Sequence, residues 1–321
     1  MLPSLEDIKA AREAVAAVGI RSPLVPLNVP VNGPRVFLKL ENLQPTGSFK
    51  LRGAAALLAG TGRETLADGV VTASAGNMGQ NAAWFARRLG VPCTVVVPPT
   101  APAAKIEAME RLGARVIPVS ADDWWKAFEQ RRVEGVDGVF IHAFDDVAVM
   151  AGNGTIGLEI AEDLPEVTAV IVPWGGGGLS CGIATALRAA APAARVYAAE
   201  VATAAPLSAS LQAGKVVTVD FQPSFVDGIG SKTLLPPMFD RAVELGIAAL
   251  VAPPGEVATA LLSMLELNRT LAEGAGATSV ACALAGARDG TFTETDTVVC
   301  VVSGGVIGLE TVAELHAAAA R

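Results

Sequence analysis

Gln44-Pro45-Thr46-Gly47-Ser48-Phe49-Lys50-Leu51-Arg52-Gly53 is the stretch whose reading decides the fold. The apolar run Val36-Phe37-Leu38-Lys39-Leu40 leads into it, and Ala54-Ala55-Ala56-Leu57-Leu58-Ala59 leads out. The pattern predicts a strand, a Pro-Thr-Gly turn and a helix start capped by Ser48. Lys50 then falls in the first helical turn, near the positive end of the helix dipole, where a cation is disfavoured. Its amine loses a proton more easily there, which suits a lysine that forms a Schiff base. A surface lysine after a turn is the plainer reading, and only the rest of the chain decides between the two.

The 321 residues are too many for one small core and suit two α/β lobes. Half of them are hydrophobic and 17% are charged, so a sizeable core is expected. A net charge of −8 and a pI near 4.9 argue against nucleic acid and anionic membrane as partners. The stretch from Met1 to Gly19 carries Glu6, Asp7, Lys9, Arg12 and Glu13 and lacks the apolar core of a signal peptide. No apolar run reads as a membrane span. Cys93, Cys181, Cys282 and Cys300 have no CxxC spacing and read as reduced core residues of a cytoplasmic protein. His142 and His316 are too few for a zinc cluster and a poor basis for a Ser-His-Asp triad. His142 follows Val139-Phe140-Ile141 and reads as a strand-end histidine with a structural hydrogen bond.

Strand and helix signals alternate along the chain, which predicts parallel sheets with right-handed crossovers. Helices are expected over residues 4–18 with Ser4 as N-cap, and over 81–89, 105–112, 122–132, 154–161, 257–271 and from the glycine run to 189. Strands are expected over 69–73, 91–97, 115–119, 139–142, 169–173, 195–200 and 298–302, with residues 21–34 extended.

Four loops carry chemistry. Gly175-Gly176-Gly177-Gly178 follows a strand and opens a helix, so its backbone N–H groups can wrap an anion. It lacks the Walker lysine and does not match GxGxxG spacing, which leaves a phosphate cup or a flexible turn. Ser74-Ala75-Gly76-Asn77-Met78-Gly79-Gln80 has the same setting, and its amides could hold a carboxylate. Ser303 ends a buried strand before two glycines, and Glu200 ends another. Taken alone, Ser303 reads as strand-end turn chemistry and Glu200 equally as a solvated acid.

Together these segments resemble the fold-type II pyridoxal phosphate (PLP) enzymes, specifically the threonine/serine dehydratase and serine racemase group. The matching stretches are SFKLRGA within Leu40–Ala54, TASAGNMGQ at Thr72–Gln80 and HAFDDVAVMAGNGTIGLEI at His142–Ile160. They continue with PWGGGGL at Pro173–Leu179, DGIG at Asp227–Gly230, EGAGA at Glu273–Ala277 and VSGG at Val302–Gly305. The resemblance implies an α/β fold of the tryptophan synthase β type, with two lobes that each hold a mostly parallel sheet flanked by helices. The larger lobe would comprise residues 1–58 plus 147–321, and the smaller lobe 59–146.

Residue roles follow from the same resemblance. Lys50 is implied as the Schiff-base lysine that moves the Cα proton. Phe49 would lie against the cofactor ring and Asn77 would bond its hydroxyl oxygen. Gly175, Gly176, Gly177, Gly178 and Leu179 would hold the phosphate, Ser303 would face the pyridine nitrogen, and Glu273 is carried over as cofactor-facing. Ser74, Ala75, Gly76, Met78, Gly79 and Gln80 would bind the substrate. The implied reaction removes water from a 3-hydroxy amino acid such as L-threonine or L-serine, giving a 2-oxo acid and ammonia. A homodimer is implied as well.

Several positions depart from the pattern. Leu51 stands where threonine synthases carry an acid, and Ala75 stands where serine racemases carry a serine that acts on the opposite ring face. One-faced chemistry favours dehydration. Met78, Val306 and Asn153 replace a histidine, an asparagine and a glutamine common in the group, which leaves the particular 3-hydroxy amino acid open. The group's divalent-cation site pairs an acid like Glu200 with a second acid six residues on. Pro206 occupies that place, which argues against a divalent cation and leaves Glu200 as the one candidate ligand. The alternatives are a PLP racemase or β-replacement enzyme, and a non-catalytic binding protein that keeps the fold. The intact Lys50 speaks against the last.

Overall fold

A computed structural model of the chain describes residues 1–319. Two sheets organise it. The first is built from β1 (Leu24–Pro26), β2 (Arg35–Leu40), β7 (Ala169–Pro173), β8 (Arg195–Val201), β9 (Ala248–Ala252) and β10 (Thr297–Val302). The second holds β3 (Val70–Ala73), β4 (Cys93–Val97), β5 (Arg115–Pro118) and β6 (Val139–Phe140). The strand orders are β1-β2-β10-β7-β8-β9 and β5-β4-β3-β6. Every pairing is parallel except β1 against β2.

Helices cover both sheets, as parallel strands require. From the N-terminus these are α1 (Leu5–Ala16), α2 (Lys50–Ala59), α3 (Arg63–Leu66), α4 (Asn77–Leu89), α5 (Ala103–Arg111) and α6 (Ala121–Gln130). The second half adds α7 (Val147–Asp163), α8 (Gly178–Ala190), α9 (Pro206–Ala213), α10 (Pro236–Glu244), α11 (Pro254–Ser263), α12 (Gly274–Asp289) and α13 (Leu309–Ala319). One apolar cluster packs α11 and α12 on one face of the first sheet, and a second packs α7, α8 and α10 on the other. A third, around Leu51, Met78, Val95 and Ile141, belongs to the second sheet and the inner face of α2.

Local chemistry sets the helix starts. Ser4 caps α1 through a capping box with Asp7, as expected. Ser120 caps α6, and the Asp146 carboxylate caps α7 by accepting from the Val149 amide at 3.0 Å. Ser48 does not cap α2: Phe49 occupies that position with no side-chain bond, and the Ser48 hydroxyl faces Asn81 Nδ2 at 3.4 Å. α4 begins at Asn77 rather than Asn81, because glycine at 76 can leave the extended strand without a side-chain cap. α7 runs seven residues upstream of its expected start, and the expected 257–271 helix ends at Ser263 and passes into a π turn over Met264–Asn268. β1 falls within the expected extended stretch 21–34, whereas β9 and helices α3, α9, α10, α12 and α13 were not marked by the sequence pattern. None of the described helices is long and apolar enough to cross a membrane.

Candidate active site

The lysine loop, the Ser303 turn, the glycine cup and the asparagine loop all leave the carboxyl ends of strands, where α/β sheets bind ligands. The lysine loop follows β2, Ser303 follows β10, the glycine cup follows β7 and the asparagine loop follows β3.

The lysine loop is fastened to the β10 turn by backbone bonds. Phe49 N–H donates to the Ser303 carbonyl at 3.0 Å, Gly305 N–H to the Gly47 carbonyl at 3.0 Å, and Ser48 forms a bridge with Gly304. Gly47 takes a left-handed conformation at φ +74. This fixes Lys50 at the first position of α2. Its Nζ donates to the Ala143 carbonyl at 2.7 Å and lies 4.8 Å from the Phe49 ring centroid. Burial lowers the amine to about 8, against the pull of Glu273.

Ala143 belongs to the turn after β6, and His142 shapes that turn. The His142 Nδ1 accepts from the amides of Phe144 and Asp145 at 3.3 and 2.8 Å. Burial, reinforced by Arg131, drops its pKa to about 4 and keeps it a neutral acceptor. The expected structural role of His142 is what the structure shows. Asp145 and Asp146 then pair with Arg241 and Arg131.

Gly175–Gly178 forms an open amide cup at the start of α8. Among the described residues, no backbone carbonyl accepts from the amides of Gly175 through Ser180, and the first closed bond is Cys181 to Gly177. Gly177 is left-handed at φ +90. The Ser180 hydroxyl is buried without a partner. A β-carbon at Gly178 would meet the Phe144 backbone at 2.5 Å, so the approach of the β6 turn requires glycine. Unpaired amides, a helix start and a buried orphan hydroxyl fit an anion with several acceptor oxygens, such as a phosphate.

The asparagine loop supplies a second set. The amides of Asn77, Met78 and Gly79 have no backbone acceptor among the described residues, and Gln80 closes the first turn onto Gly76. Gly76 has open space where a β-carbon would sit, whereas Gly79 is pressed against Met109 and the Ser74 carbonyl. The Ser74 hydroxyl accepts from the Gly76 amide at 3.2 Å, and Ala75 is half-buried beside it. The Met78 side chain is turned into the core of the second sheet and offers the site only its amide. Its replacement of histidine therefore changes the core under the loop.

Asn77 Nδ2 donates to both oxygens of Glu273, at 2.9 and 3.1 Å. Glu273 stands at the N-cap of α12, and its own amide donates to the Gly304 carbonyl at 2.9 Å. Burial raises this carboxyl to about 7, although the Asn77 bonds oppose it. Gly228 and Gly304 make room: β-carbons there would lie 3.4 and 2.5 Å from Glu273 Oε1. At this edge Lys105 of α5 pairs with Asp227 at 2.5 Å, linking the second sheet's helices to the first sheet's loops.

The structure thus brings together Lys50, Phe49, Asn77, Glu273, Ser303 and the glycine cup. Glu200 is spent elsewhere. Its two oxygens accept from the amides of Leu207 and Ser208 at 2.9 and 2.7 Å, and burial raises it to about 7. It holds the start of α9 rather than standing free as a ligand. Asn81, Arg52, Glu41 and Glu159 were missed by the sequence reading. Arg52, two residues after Lys50, is fully buried and grips Glu41 through Nε and Nη2, both at 2.8 Å, and Glu159 through Nη1 at 2.6 Å. Lys39 completes this cluster by pairing with Glu159 at 2.6 Å. The signal was the spacing of apolar and charged residues: Lys39 sits inside the otherwise apolar run Val36–Leu40, where only a partnered charge is tolerated.

Comparison with known proteins agrees with the geometry. The sequence profile of the family described as pyridoxal-phosphate dependent enzyme matches residues 15–304. An L-threonine ammonia-lyase of Thermotoga maritima is 40% identical over 285 residues, which is 88% of this chain and 71% of that protein. The processed form of threonine deaminase isoform 2 from Solanum lycopersicum superposes with a TM-score of 0.86 at 33% identity, over 97% of this chain and 92% of that one. Serine racemase from Dictyostelium discoideum superposes with a TM-score of 0.84 at 31% identity, over 95% and 99%.

Proposed function

The chain belongs to the pyridoxal-phosphate dependent enzyme family, and from that premise we propose a dehydratase that converts a 3-hydroxy amino acid of the L-threonine or L-serine kind into a 2-oxo acid and ammonia. The glycine cup suits the phosphate of PLP by its unpaired amides and by the lack of room for side chains at Gly176, Gly177 and Gly178. Gly175, Gly176, Gly177, Gly178 and Leu179 would hold that phosphate by backbone N–H groups, with Phe49 against the ring, Asn77 and Glu273 at its polar edge and Ser303 near its nitrogen. When bound, PLP supplies the electron sink that makes a Cα proton acidic.

The chain's own residues do the rest. The amides at the start of α4, opened to the cleft by Gly76, bind the substrate carboxylate. The Lys50 amine, held near pH 8 by burial, takes the Cα proton. The Cβ–O bond then breaks, the departing hydroxyl takes up one proton, in net balance the one that Lys50 removed, and leaves as water, and the released enamine takes up water to yield the 2-oxo acid and ammonia.

The observation that carries elimination over racemisation is Ala75. Racemisation needs a proton donor on the face opposite Lys50, and an alanine methyl supplies none. Holoenzyme incubated with L-threonine and L-serine should release ammonia and 2-oxo acid in equal amounts, with little D-amino acid. D-serine forming from L-serine faster than pyruvate would replace this reading with a racemase, the activity named for the Dictyostelium neighbour.

We also propose a cytoplasmic homodimer with a lobe of residues 1–58 plus 147–321 and a smaller lobe of 59–146. Four free, buried cysteines support a reducing compartment. The separate sheets support the lobes.

A further inference from the structure

We propose that Asn81 is a positioning residue: its side-chain amide holds the carboxylate-binding start of α4 in register with Lys50. Asn81 is fully buried one turn below Asn77. Its Oδ1 accepts from the Thr46 hydroxyl at 2.8 Å. Its Nδ2 donates to the Asn77 carbonyl at 2.8 Å and faces the Ser48 hydroxyl at 3.4 Å. Thr46 and Ser48 belong to the lysine loop, and Asn77 opens the helix whose free amides face the cleft. One side chain therefore joins the two halves of the site from behind, without itself reaching the ligand.

Packing alone does not account for an asparagine here. Its neighbours Ala82 and Ala83 are buried alanines, and an apolar residue would favour the helix more. A buried amide is costly unless its hydrogen bonds are made, and these bonds run to the two segments that must stay aligned. The backbone of the lysine loop is secured toward β10, through Gly47, Phe49 and the Ser48 bridge, and Gln44 ties the start of the loop to Ile20. Asn81 is the counterpart toward α4. Small displacements matter in such a site, because misplacement by about 1 Å can cost about a hundredfold.

The inference rests on the amino-acid-binding reading of the site, and its test avoids the elimination step. Glycine has no leaving group, so its binding to holoenzyme, followed by cofactor absorbance, reports the cradle alone. Asn81→Asp keeps the shape and the acceptor for Thr46 but loses the donor to Asn77. Thr46→Val cuts the other link without touching α4. The glycine dissociation constant should rise about tenfold in Asn81→Asp and about threefold in Thr46→Val, in line with one lost buried hydrogen bond. Methylamine, which lacks the carboxylate, should bind as in wild type, and PLP affinity of the apoprotein should stay within about twofold. Unchanged glycine binding in both variants, or equal weakening of glycine and methylamine, would overturn the proposal. If Asn81→Asp does not fold, Thr46→Val decides by the same criteria. Wild type that binds glycine yet releases no ammonia from any 3-hydroxy amino acid would sink the dehydratase reading and leave this one standing.

Discussion

A methyl group at Gly176 would land 2.1 Å from Cγ of Phe144 and 2.2 and 2.5 Å from its two Cδ carbons. Carbon atoms rest at about 3.5–4.0 Å, so Gly176→Ala demands a relative shift of more than about 1 Å between cup and ring. Phe144 is hemmed in. Its ring packs edge-on against His142 at 4.6 Å and beside Phe128 at 5.3 Å, and its amide is held by His142 Nδ1. Overpacking of this kind costs ~1–3 kcal/mol. If that strain falls on the cup geometry needed for phosphate, PLP affinity drops by about 5- to 150-fold. Titration of apoprotein with PLP, followed by absorbance, measures it. Gly255→Ala is the control, since no atom lies within 4 Å of a β-carbon there, and it should bind PLP as wild type does. Equal PLP affinity in Gly176→Ala and Gly255→Ala would refute the cup.

Three further outcomes follow from the same geometry. PLP capture by the apoprotein should accelerate with pH and level off above about 8, because burial lowers Lys50 and the neutral amine is the nucleophile; a rate still climbing through pH 10, as for an ordinary lysine, would contradict this. Arg52→Met should lower unfolding stability by ~3–5 kcal/mol in denaturant titration, since it leaves buried Glu41 without a cation and Glu159 with Lys39 alone, and a loss under about 1 kcal/mol would show that the cluster is not held by that arginine. Ala75→Ser should raise the ratio of D-amino acid to 2-oxo acid on chiral chromatography, and no change would mean that position 75 does not face Cα.

The parallel α/β architecture was legible because apolar runs of five or six residues ended in glycine-rich loops, as at Ala169–Pro173, which the structure reproduces residue for residue. The elements that escaped lacked that contrast. α12 begins Gly274-Ala275-Gly276-Ala277, small residues with no periodic apolar face, because it is buried on most sides and close approach selects for size. β9 is Ala248–Ala252, short and half-exposed at a sheet edge. The loops of the site were visible as glycines and Lys50, because tight turns and unpaired amides restrict residue type locally. What tied them together was not visible. The Asn77–Glu273 bond spans 196 positions, and the Arg52–Glu159 pair 107. Such partners are fixed by the fold, and a single sequence carries no local mark of them.

The placement of Arg52 leaves the Lys50 amine governed by its own burial and by Glu273. A guanidinium two residues away, buried beside the same helix start, would alone set a positive field over the site. Here Glu41 and Glu159 surround it, and Lys39 balances the second carboxylate, so two cations face two anions within one buried cluster. The cluster is close to neutral, and its field at Lys50 falls off quickly. What remains to act on the Lys50 amine is loss of water, which lowers it to about 8, and Glu273, which opposes that fall. Glu273 itself is raised to about 7 by its own burial, so its negative charge is partly withdrawn near neutral pH. The two groups therefore leave the lysine able to give and take a proton in the range where a general base works best. The motif SFKLRG holds both halves of this arrangement: a lysine whose amine burial lowers to about 8, and an arginine whose charge is met by Glu41 and Glu159.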